Sequence, residues 1–130
     1  MSRDHRKLRV FALADELVVD IYSATKGFPV EEQYGLKAQI RRAAVSTPSN
    51  IVEGSARRTT SEYCNFLNIA NGSAAEARYL IGLSQRLGFL AVDEAEALVA
   101  RYTELTKGLQ KLVMRLDPRG SRRASDRQSL

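Results

Sequence analysis

Apolar residues recur along this chain at steps of three and four, the period of a helix with one side on a core. Val10, Ala14, Leu17 and Ile21, flanked by Phe11, Val18 and Tyr22, predict a first helix from about Arg9 to Thr25. Lys26-Gly27-Phe28-Pro29 stops it, since Gly27 suits a helix end and Pro29 the first turn of the next element. A second stripe, Leu36, Ile40, Ala44, Thr47 and Ile51, keeps its phase across Pro48. A proline inside a helix costs about 3 kcal/mol or more, and Ser46, Thr47, Ser49 and Asn50 around it are loop-like. A loop has no reason to preserve helical phase, so one long helix is expected from about Val30 to Arg57, kinked at Pro48. A break there is the alternative. Glu31 and Glu32 would sit near the positive end of its dipole.

Thr59-Thr60-Ser61-Glu62 has the form of a capping box, in which Glu62 reaches back to the Thr59 backbone. From there Tyr63, Leu67, Ala70, Ala74, Ala77, Ile81 and Ser84 predict a third helix to about Leu87, ended by Gly88. Asn71-Gly72 lies inside it. Gly72 costs roughly 1 kcal/mol relative to alanine there and is expected to admit a neighbouring backbone. Asp93, with Glu96, is expected to cap a fourth helix striped by Ala95, Leu98, Tyr102, Leu105, Leu109, Leu112 and Leu116, stopped by Asp117-Pro118. Short connections imply antiparallel neighbours, hence an all-α, up-down-up-down four-helix bundle over residues 9–117. Residues 1–8 read as a basic arm and 118–130 as an Arg/Ser-rich, disordered tail. Second and third helices of about 40 Å would outreach a first of about 25 Å. Their uncovered ends call for a partner, most economically further copies of the chain.

Charge changes this picture less than its size suggests. The net +5 is supplied by residues 1–9 (+3) and 117–130 (+2), leaving the middle neutral in sum. The informative cluster is Lys37, Arg41, Arg42, Arg57 and Arg58 against Glu53 alone, a candidate nucleic-acid surface. The alternative is a solvated helix face whose arginines pair with acids elsewhere in the bundle or on a neighbouring copy. No aromatic residue between Lys37 and Arg58 could stack on bases. Glu53 is expected to pair with Arg57 at i, i+4, or with polar groups around Asn50, rather than act as a general base. Asn65, Asn68 and Asn71, with Ser49 and Asn50, would make a polar strip between facing second and third helices.

Catalytic chemistry fails on inventory. His5 is the one histidine, Cys64 the one cysteine, and neither a metal-ligand cluster nor a Gly-rich phosphate loop is present. No enzyme, cofactor, metal or small-molecule substrate is expected. No apolar run is long enough to span a membrane and the N-terminus is polar, so the expected compartment is the cytoplasm.

The blocks QIRRAAVSTPSNIVEG (Gln39 to Gly54), Arg57-Arg58 and EYCNFLNIANGSAAE (Glu62 to Glu76) resemble the bacterial four-helix-bundle proteins called 23S rRNA-intervening sequence proteins. FALADELVVDIYSATKGFPVEEQYGL (Phe11 to Leu36) resembles their opening helix and loop, and the likeness spans about residues 8–116. Thr47 and Val52 depart from that pattern, where aliphatic and alanine residues are usual. Pro48, Ser49, Asn50, Glu53, Gly54, Asn68 and Gly72 stand as its structural motif. The resemblance implies antiparallel bundles assembled into five-membered rings. It also implies kinship with accessory proteins of diversity-generating retroelements, which bind nucleic acid and a reverse transcriptase through a basic surface. Two readings result: a non-enzymatic, self-associating scaffold, or a ring that binds RNA or a ribonucleoprotein by charge.

Overall fold

In the computed structural model, which describes residues 4–118, the stripes become four helices: α1 (Arg9–Thr25), α2 (Leu36–Ser55), α3 (Thr60–Arg86) and α4 (Val92–Leu116). Short 3-10 turns at His5–Lys7 and Val30–Glu32 complete the order, with no strand among the described residues. Packing runs α1 on α2, α2 on α3, α3 on α4 and α4 back on α1. Leu17, Ile21, Ile40, Ile51, Leu67, Ile81, Leu105 and Leu109 fill the enclosed space with no exposure. Burying each such side chain is worth about 1.5–3 kcal/mol.

α1 has the bounds its stripe predicts. The second helix does not begin at Val30. Val30–Glu32 is a separate turn, and Gly35 (φ −103°, ψ −113°) stands outside helical geometry, so α2 starts at Leu36. Acidic compensation survives the shift, because the Glu32 carboxylate accepts the Leu36 N–H at 3.1 Å. At about 30 Å, α2 is shorter than expected, and the long rods are α3 and α4 at roughly 40 Å. Pro48 lies inside α2 and is buried, so packing offsets part of the lost hydrogen bond.

The caps differ in detail. Thr59 Oγ accepts the Glu62 N–H at 3.1 Å, while the Glu62 carboxylate takes the Thr59 hydroxyl proton rather than its backbone N–H. Gly88, at φ +83°, ends α3 as expected, with the Phe89 N–H reaching back to the Ser84 carbonyl. Asp93 does not cap α4. Ala91 holds that position, and Asp93 and Glu94 sit in the first turn, where their charge still favours the dipole.

Close backbone approach occurs, but not at Gly72, where an added Cβ would meet nothing within 4 Å. It occurs at Gly54, where a Cβ would lie 2.8 Å from Phe66 Cβ and 3.0 Å from Tyr63 Cδ1, and at Gly108, 2.8 Å from Val10 Cγ1. Glycine at 54 lets α2 seat against the start of α3, and at 108 lets α4 seat against the start of α1. His5 packs edge-on against Phe11, ring centres 4.8 Å apart, with Ser55 Oγ 3.4 Å from its Nδ1. The disordered tail expected at 118–130 lies, beyond Pro118, outside the described residues.

Candidate basic cleft

The five basic residues singled out along α2 do not gather at one place. Lys37, Arg41 and Arg42 belong to the first half of α2, and Arg57 and Arg58 lie just past its end, so roughly 20 Å of helix separates the groups. Arg57 reaches back one turn to Glu53 at 2.8 Å, the pairing its spacing predicts, and its guanidinium lies 4.7 Å from the Phe66 ring centre. Arg58 is exposed.

Arg41 is held differently. Thr25, wholly buried at the end of α1, spends its hydroxyl proton on the Ile21 carbonyl at 2.7 Å. The same hydroxyl oxygen accepts Arg41 Nε–H at 2.9 Å, and the Tyr22 carbonyl accepts Nη2–H at 3.2 Å. The guanidinium lies over the Tyr22 ring, 4.3 Å from its centre. Arg41 therefore caps the C-terminus of α1, where a cation meets about half a negative charge. No carboxylate lies within ion-pair distance of Arg41, Arg42 or Lys37 among the described residues. Arg42, one residue on and about 100° round the helix, is exposed.

Tyr22, Arg41, Arg42, Ala43, Val45 and Ser46, with Ser73 and Glu76 of α3, line an open cleft of about 610 Å³ across α2. Ser46 and Ser73 hydroxyls meet at 2.8 Å, and Asn50 Nδ2 donates to Ser46 Oγ at 3.0 Å. This serine pair is the polar link between α2 and α3. The expected asparagine strip does not form as a whole: Asn65, Asn68 and Ser49 are exposed, Asn50 bonds Ser46 on its own helix, and Asn71 is half-buried. Sequence reasoning missed Tyr22, Thr25, Ser46, Ser73 and Glu76. Their separations in sequence carry no motif, and only helix packing joins them.

Elsewhere, Arg101 of α4 ties Glu16 (2.9 Å) and Asp20 of α1. Burial, and then the Asp20 charge, push the Tyr102 phenol above its ordinary range, and its hydroxyl has no hydrogen-bond partner. No group of three or more His, Cys, Asp or Glu among the described residues could hold a metal ion, and no helix there is long and apolar enough to cross a membrane.

The fold and cleft define a small all-α protein of four helices, with Lys37, Arg41 and Arg42 free of ion pairs in the first half of α2. The chain belongs to the 23S rRNA-intervening sequence protein family, whose model matches residues 6–111. It is similar to a solved structure from Bacteroides thetaiotaomicron VPI-5482, described as a protein with unknown function from the S23 ribosomal protein family. That likeness has a TM-score of 0.75 at 26% identity and covers 80% of this chain and 97% of the other. No curated protein matches the chain.

Proposed function

We propose that this protein is a non-enzymatic scaffold, an up-down-up-down bundle that docks copies of itself along the outer face of α3. The observation that carries this reading is Gly72. It sits inside a continuous helix at a cost of roughly 1 kcal/mol, yet no neighbour within its own chain uses the space. Ile69, three residues before it, and Tyr79, seven after, are 52% and 60% exposed on the same outer side, with Asn65 and Asn68 also exposed. A bare helix surface between two apolar side chains is a hole of the kind a neighbouring helix fills with a knob. A second copy supplies such a helix in a head-to-tail contact, which closes into a ring when the rotation permits.

Light scattering tests this. The full-length protein should run as a multiple of the 14.5 kDa chain, five copies if the ring implied by the family resemblance forms. Gly72→Gln should leave the helix content intact, because nothing crowds that Cβ, and should drop the mass toward one chain. A wild-type mass of one chain overturns the assembly, and an unchanged mass in the variant overturns the interface. The rival reading, charge-driven binding of RNA or a ribonucleoprotein, requires affinity to fall steeply with added salt. Its support is the unpaired charge of Lys37, Arg41 and Arg42, against which stands their distance from Arg57 and Arg58.

A further inference from the structure

We propose that the cleft across α2 binds the phosphate group of a small sugar phosphate, a ligand class beyond the assembly reading and independent of it. Arg41 is already ordered at two of its five N–H groups by Thr25 and Tyr22, both neutral acceptors, which leaves three donors and most of a positive charge. Ordering a guanidinium beforehand removes the entropy that a free arginine loses on gripping an anion. Arg42 also lines the cleft, and no carboxylate lies within ion-pair distance of either guanidinium among the described residues, Glu76 being the one acidic residue of the lining. Two cations against one carboxylate leave the lining net positive, and a dianion suits the two cations better than a monoanion.

The other lining groups narrow the ligand. Ser46 and Ser73 are hydrogen-bonded to each other, so one hydroxyl proton of the pair remains to be offered outward, in reach of a phosphate oxygen. Glu76, on the α3 wall, can only accept and would repel a bare inorganic phosphate. It suits a ligand that presents a hydroxyl beside its phosphate, as a sugar does. The volume of about 610 Å³ lies within the range of small-molecule sites. An extended polyanion that also reached the second arginine pair would have to span roughly 20 Å of α2.

Titration calorimetry of the full chain with ribose 5-phosphate, inorganic phosphate and a single-stranded RNA lacking terminal phosphates tests the proposal. Ribose 5-phosphate should bind, inorganic phosphate at least tenfold more weakly, and Glu76→Gln should narrow that gap. Arg42→Gln, at an exposed position that leaves the fold unaffected, should weaken ribose 5-phosphate at least tenfold. Arg41→Lys, which keeps charge but loses the fork, should weaken it as well. No binding of ribose 5-phosphate overturns the proposal, as does binding that Arg42→Gln leaves unchanged. RNA binding tighter than that of the sugar phosphate and lost with Arg42→Gln assigns the cleft to a nucleic-acid backbone and also overturns it. So does a fall in mass by light scattering with Arg42→Gln, which makes the cleft a contact between copies. A scaffold that fails to assemble but binds ribose 5-phosphate leaves this proposal standing, so the two readings fail separately.

Discussion

Arg41-Arg42 and Arg57-Arg58 bracket α2 with the same pair of residues, and the tertiary structure treats the two pairs in opposite ways. At the far end, Arg57 meets a carboxylate on its own helix and the face of Phe66, so half of that pair's charge is answered locally. At the near end, Arg41 reaches another helix and is fixed by a buried threonine, a carbonyl and a ring, none of which carries a full negative charge. The far end is also tighter, with Gly54 pressed against Tyr63 and Phe66, whereas the near end opens into a cleft. A count of basic residues thus says little about a field. What matters is whether each cation meets an anion or only a dipole.

The largest effect should come from crowding the tight end. Gly54→Val places methyl groups where even a Cβ would sit 2.8 Å from Phe66 Cβ, and should lower stability by about 2–3 kcal/mol in a urea titration. A loss below about 0.5 kcal/mol would show that the two helices can part there, erasing the contrast in packing. Next, Arg41→Ala removes two charge-assisted hydrogen bonds and a ring contact, for an expected loss of about 1–2 kcal/mol. Arg57→Ala, on a half-exposed pair at i, i+4, should cost less than about 1 kcal/mol and fade with salt. Equal losses for the two arginines would break the comparison. Gly72→Ala, remote from both ends, should raise the intrinsic stability of the helix by about 0.5–1 kcal/mol under conditions that keep the chain monomeric.

The smallest change at neutral pH should come from Tyr102→Phe, since the hydroxyl it removes is buried without a partner. Its pH dependence is more telling. The phenol's folded pKa is raised, so the unfolded chain ionises first and stability should fall as pH rises above about 10. The phenylalanine variant should lose less stability over that window than the wild type. A parallel decline in both would show that the phenol is not the group responsible.

Helical phase was legible where a stripe ran long. It carried the reading through Pro48 and Gly72, two positions whose local preference points to loops, because a core-facing period outweighs a single unfavourable residue. It failed at Val30–Gly35, where two acidic residues and an apolar one mimic a first turn. The backbone of Gly35 and the Glu32 side chain instead begin α2 later. The close approach expected at Gly72 occurs at Gly54 and Gly108 instead, since a glycine's sequence context does not say what lies opposite its missing side chain. Of the candidate site, the cations could be read and their partners could not. Thr25 and Tyr22 carry no signal of ligation until α1 and α2 are packed.

By itself, the sequence determined four amphipathic helices, their main stops at Gly27, Gly88 and Asp117, and the i, i+4 pair of Glu53 with Arg57. These are interactions between residues at most a few positions apart, fixed by helical geometry alone. Tertiary structure decided which glycines touch a neighbour, which serines join α2 to α3, and which arginine meets neutral acceptors rather than a carboxylate. Each of those depends on distances between residues far apart in the chain, and such distances exist only once the helices have docked.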